Sequence, residues 1–66
     1  MSVARVTEIS AISPESFEDA IREAIARANQ TLRNLESAWV KDMNVMLTNG
    51  EITGYKVNLA VTFVLE

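Results

Sequence analysis

The chain contains no cysteine and no histidine, and among its 66 residues there is one proline, two glycines, one tryptophan, one tyrosine and two phenylalanines. Without cysteine there is no disulfide and no thiolate metal site. Without histidine, the commonest zinc ligand and the commonest general base are both missing. Basic residues are also scarce. Six Lys and Arg stand against nine Asp and Glu, for a net charge of −3, which argues against a nucleic-acid partner, since such proteins carry a basic stripe. No apolar run approaches the roughly 20 residues needed to span a bilayer. Residues 1–7 lack the apolar core of a secretory signal, so an intracellular, cytoplasmic location is expected. The two glycines, Gly50 and Gly54, lie close together, and no glycine-rich phosphate loop is present. There is no nucleophile pair and no paired-carboxylate motif either, so the expectation is a protein that is not an enzyme.

The length fits a single domain, residues 1–66. A domain this small buries only about 60% of the surface its unfolded chain exposes. It therefore needs a staple, and association with copies of itself is the staple left open by the composition.

What is present is strongly patterned. Val3 to Ser10, with Val6 and Ile9, has the β-branched content of a strand. Ser13 can cap a helix with Pro14 at the first helical position, and Ser16 is a competing cap with Asp19 three residues on. Glu15, Glu18 and Asp19 suit the positive end of the helix dipole. From about Pro14 to Arg33, residues Phe17, Ala20, Ile21, Ala24, Ile25, Ala28 and Leu32 recur at helical steps and form one apolar stripe rich in alanine. Glu18–Arg22 and Glu23–Arg27 have the spacing of helical ion pairs, and Asn34 is a plausible C-terminal stop. Two long strands follow, Glu36 to Thr48 and Glu51 to Leu65, joined by Asn49-Gly50, a strong signal for a two-residue hairpin turn. In the second strand Tyr55, Val57, Leu59, Val61, Phe63 and Leu65 share one face, the face expected to pack on the helix.

If no bulge intervenes, the turn pairs Leu47 with Ile52, Val40 with Leu59, Trp39 with Ala60 and Ala38 with Val61. That register puts Ser37, Trp39, Lys41, Met43 and Val45 on the face away from the helix, which also carries Leu47 and Ile52. Strands this long reach roughly 45–50 Å, whereas a helix of this length covers only about 30 Å. The hairpin outruns its cover and carries apolar residues that one copy leaves in water. A surplus of that kind marks an interface or a binding surface.

The order of strand, Ser-Pro-capped helix and long hairpin resembles the dodecin family. The segments that carry the likeness are Ser13-Pro14-Glu15-Ser16-Phe17, Ala26-Arg27-Ala28 through Thr31-Leu32-Arg33-Asn34-Leu35, and Tyr55-Lys56-Val57-Asn58-Leu59-Ala60-Val61-Thr62-Phe63. It covers essentially the whole chain. The resemblance implies an α+β fold of β-α-β-β order, with a three-stranded antiparallel sheet wrapped around one helix. It also implies a hollow homododecamer built from trimers. For the flavin-binding members it implies storage of FMN or riboflavin between symmetry-related tryptophans. The alternative is a structural dodecamer that has lost flavin and binds another small anion, or a cation such as calcium.

The sequence departs from that pattern at the site. Ser37 stands where the flavin-stacking tryptophan is expected and Lys56 where a flavin-bonding glutamine is expected, while Asp42 keeps an acidic position. The tryptophan is Trp39, two residues on, which keeps the same strand face at a displacement of roughly 6–7 Å. Trp39, Ser37, Lys56 and Asp42 are thus the candidate ligand residues, and no metal site is assigned. Each also has an ordinary structural role open to it. Trp39 can fill a subunit interface. Lys56 can hold a phosphate or a flavin carbonyl, or can pair with Asp42 or Glu36. Asp42 and Glu8 can donate oxygens to calcium or magnesium. Arg27 and Arg33 can meet an anion or form intersubunit salt bridges.

Overall fold

The computed structural model describes residues 3–65. Its elements are β1 (Ala4–Ser13), α1 (Phe17–Thr31), β2 (Leu35–Thr48) and β3 (Glu51–Val64). The strands form one antiparallel sheet in the order β1-β3-β2, so the last strand lies in the middle. This is the expected β-α-β-β arrangement. The strand with the cleanest alternation takes the position with two neighbours, and its inward residues Val57, Leu59 and Val61 are buried.

Helix α1 lies across β1 and β3. Ala20, Ala24 and Ala28 are buried at four-residue intervals, and their small side chains let the helix sit close to the sheet. Phe17, Ile21 and Ile25 flank that row and join Ile9, Ala11, Leu35 and Val40 around the buried cluster. Burying a branched aliphatic side chain is worth about 1.5–3 kcal/mol, so this layer is the main source of stability within one copy. Phe17 meets Tyr55 edge to face, with centroids 5.1 Å apart and rings at 78°.

Several boundaries differ from the sequence expectation, each for a physical reason. β1 continues to Ser13 because Ala11, Ile12 and Ser13 find partners in Val57, Lys56 and Tyr55 of the long β3. That commits Ser13 to strand backbone, so the cap passes to Ser16, whose side chain accepts from the Asp19 N–H at 3.0 Å. Pro14 therefore lies in the turn and not at the first helical position. The helix ends where the Leu32 N–H bonds to the Ala28 carbonyl at 2.9 Å. Asn34, at φ 60°, then turns the chain into β2. Of the two expected helical ion pairs, Glu18–Arg22 forms at 2.6 Å, whereas Glu23–Arg27 is not among the salt bridges of the described residues.

The hairpin turn has Asn49 at φ 54° and Gly50 at φ 80°, the doubly left-handed turn that matches strand twist. The expected pairs Leu47–Ile52, Val40–Leu59, Trp39–Ala60 and Ala38–Val61 all form. Between them the register shifts twice. Thr53 is an extra residue in β3 and Lys41 an extra residue in β2, and the two shifts cancel. From the Lys41 bulge to the turn, β2 presents the opposite faces to those of a straight ladder. Met43 pairs with Val57 and Val45 with Tyr55, so Met43, Val45 and Leu47 lie on the helix-side face. This corrects the expectation that Met43, Val45, Leu47 and Ile52 face away.

The surplus of apolar sheet is real but continues the inner face. Helix α1, with 15 residues, spans about 22 Å, while the molecule extends 50 Å along its longest axis. Met43, Val45, Leu47 and Ile52 are exposed on the uncovered arm. At the root of the arm, Gly54 is buried. A Cβ there would come within 3.0 Å of the Ile12 Cγ2, so a side chain at this position would need the Ile12 side chain to give way.

Candidate functional site

The outer face of the sheet, away from α1, is ordered by the pairing register. Ser37 stands beside Thr62, Trp39 beside Ala60, Asp42 beside Asn58, and Asn44 beside Lys56. On the other side of β3, Val6, Glu8, Ser10 and Ile12 complete the same four rows. All four sequence-derived candidates therefore share one face. No bulge separates Ser37 from Trp39, so the two side chains share a face as their two-residue spacing requires.

Trp39 is 71% exposed. Its cross-strand neighbour is only an alanine, so nothing on β3 covers the indole. Ser37 is exposed one row away, and Lys56 is half-buried two rows beyond Ala60 along β3. The expected pairing of Lys56 with Asp42 or Glu36 does not form among the described residues; Asp42 has a different partner.

That partner is Asn58, which sequence reasoning did not single out. The Asn58 Nδ2 donates to Asp42 Oδ1 at 2.5 Å, and the Ser10 hydroxyl donates to Asn58 Oδ1 at 2.5 Å. One row away, Lys41 Nζ donates to Glu8 Oε2 at 2.7 Å. This contact holds the Lys41 ammonium above its ordinary pKa, first through the hydrogen bond and then through the charge of Glu8, with a smaller contribution from Asp42. The bulge at Lys41 makes the arrangement possible, since it turns Asp42 to the outer face beside Asn58 and Lys41. Glu8, Ser10, Lys41, Asp42 and Asn58 line one shallow depression. The one signal available in the sequence was Asn58 itself, a poor strand former near the middle of a strand. Glu8 and Asp42 both border the depression, and no cluster of three acidic groups able to hold a metal occurs among the described residues. Arg27 lies elsewhere, in a groove between α1 and β1 with Thr7 and Thr31.

These features define a small β-α-β-β subunit with an uncovered indole beside a hydrogen-bonded polar strip on one sheet face, and an uncovered apolar arm on the other. The Dodecin family model matches residues 3–66. The dodecin of Thermus thermophilus is 38% identical over 64 residues, covering 97% of this chain and 93% of that protein. The calcium dodecin of Mycobacterium tuberculosis is 36% identical over 64 residues, covering 96% of this chain and 89% of that protein. Among solved structures, dodecin from Streptomyces davaonensis superposes with a TM-score of 0.93 at 40% identity, covering 98% of this chain and 96% of that one. The chain belongs to the dodecin family.

Proposed function

We propose that this chain is a single-domain subunit of a hollow, cytoplasmic homododecamer that binds and stores a flavin, riboflavin or FMN, without turning it over. The observation that carries this reading is the bare indole of Trp39, 71% exposed on a sheet face that leaves it uncovered. An aromatic platform stacks a planar ring with about 1–3 kcal/mol per ring. Two symmetry-related indoles facing each other would roughly double that contact. Ser37 is small enough to leave room at the position where the family resemblance expects the stacking ring. Lys56, which has no ion-pair partner among the described residues, supplies a cation for a flavin carbonyl or phosphate. Asp42 supplies an acceptor.

The test is a riboflavin and FMN titration followed by flavin fluorescence, on a sample whose particle mass is measured by light scattering. The expected result is saturable quenching at a fixed ratio of flavin to subunit, with affinity falling at least about tenfold in Trp39→Ala, the factor set by losing roughly 1.4 kcal/mol of stacking. Unchanged fluorescence of both flavins would refute the reading.

A second reading has its own observation. Glu8 and Asp42 border the same depression, and one relative carries the name calcium dodecin. On this reading the dodecamer is structural and holds a cation. Calorimetric calcium binding that disappears in Asp42→Asn, in protein that ignores flavin, would select it.

A further inference from the structure

Asn58 is expensive where it stands. It occupies the middle of the central strand between buried Val57 and Leu59, and asparagine is among the poorer strand formers. A residue that breaks a local rule without a packing reward is where a functional role is to be sought. Its hydrogen bonds have a defined direction. Ionised Asp42 can only accept, so Asn58 must turn its amide nitrogen to Asp42 and its carbonyl to β1. There the Ser10 hydroxyl donates to it. Ser10 thus fixes the amide orientation, and the amide fixes the carboxylate through Oδ1.

Asp42 needs that support. It follows a bulge on β2, a strand with β3 as its single neighbour, and it is exposed. An unsupported carboxylate there would sample several rotamers, and a ligand would have to freeze one of them at its own cost. The neighbouring cation does not do this work, because Lys41 is held by Glu8 at 2.7 Å.

We infer that Asn58 is a positioning residue, oriented by Ser10, that holds Asp42 with its Oδ2 free to accept from a hydroxyl or N–H of the bound ligand. This inference rests on the flavin reading and names how its polar edge is recognised.

The experiment measures riboflavin affinity and thermal stability together, on assembled protein, for wild type, Asn58→Leu, Ser10→Ala and Ser10→Thr. Leucine removes both hydrogen bonds and is the better strand residue, so Asn58→Leu should melt no lower than wild type yet bind riboflavin about tenfold more weakly, as expected for a lost bond to a charged group. Ser10→Ala should weaken binding about threefold or more, as for a neutral hydrogen bond. Ser10→Thr, which keeps the hydroxyl, should restore it. A purely structural tie between strands would move the melting temperature and leave the affinity of the assembled fraction alone. If wild type binds and Asn58→Leu binds equally well, this inference falls and the flavin reading stands. If wild type does not bind riboflavin, the flavin reading falls and takes the ligand role of Asp42 with it.

Discussion

The hydroxyl of Ser13 joins three pieces of backbone and side chain in one buried spot. It accepts from the Glu15 N–H at 2.9 Å and the Ser16 N–H at 3.5 Å, and it donates to Asp19 Oδ2 at 2.6 Å. The residue is 1% exposed, so water cannot take over these contacts. Ser13→Ala should cost about 1–3 kcal/mol, read as a lower urea midpoint with an unchanged slope; an unchanged midpoint would show that the turn is held elsewhere. The same site shows where the sequence is legible and where it is not. Both Ser13 and Ser16 have the chemistry of a helix cap. The choice between them depends on how far β1 pairs with β3, a long-range fact that local spacing does not contain. The candidate site divides in the same way. Trp39 and Ser37 share a face by period two alone, and that was readable. The contact of Asp42 with Asn58 depends on the extra residue at Lys41, and no local signal announces that bulge.

At the scale of elements, the two compensating bulges decide what the hairpin can do. A straight ladder from the Asn49-Gly50 turn gives the right partners near Leu47 and again from Val40 to Ala38, so most of the strand pairing followed from turn chemistry. The partners differ only between the bulges, but the Lys41 bulge turns β2 over from there to the turn, and this sends Met43, Val45 and Leu47 inward. The bulge also frees Lys41 to reach across β3 to Glu8 on β1, so that one ion pair ties the two edge strands. Because the folded-state pKa of Lys41 lies above its ordinary 10.5, the contribution of this pair is fully present below that value. It is lost as pH rises through the raised folded value. Wild-type protein should therefore lose stability above about pH 10.5 by more than Lys41→Met does. Parallel stability curves for the two proteins across that range would show that the tie adds nothing. High salt should shrink the difference, since the pair is at the surface.

For the whole molecule, the decisive feature is an arm whose inner face has no cover of its own. Leu47 and Ile52 pair directly across the hairpin and are 61% and 52% exposed, with Val45 and Met43 continuing the patch toward the helix. Each fully covered aliphatic side chain is worth about 1.5–3 kcal/mol. Four of them per copy, repeated around the proposed closed assembly, would supply much of what a 66-residue chain lacks when alone. A single charge should reverse that balance. Leu47→Glu leaves α1, the buried alanine row and the Val57–Leu59–Val61 core untouched, so helical circular dichroism should persist. The charge would have to be buried without a partner in every copy of the proposed particle, at a cost of several kcal/mol each. The expected product is a folded species of much lower mass by light scattering. Thr48→Glu, adjacent in sequence but on the opposite face, should assemble as wild type does. A full-mass particle formed by Leu47→Glu would mean that the arm stays in water, and the source of stability for so small a chain would then have to be sought on the outer face, around Trp39.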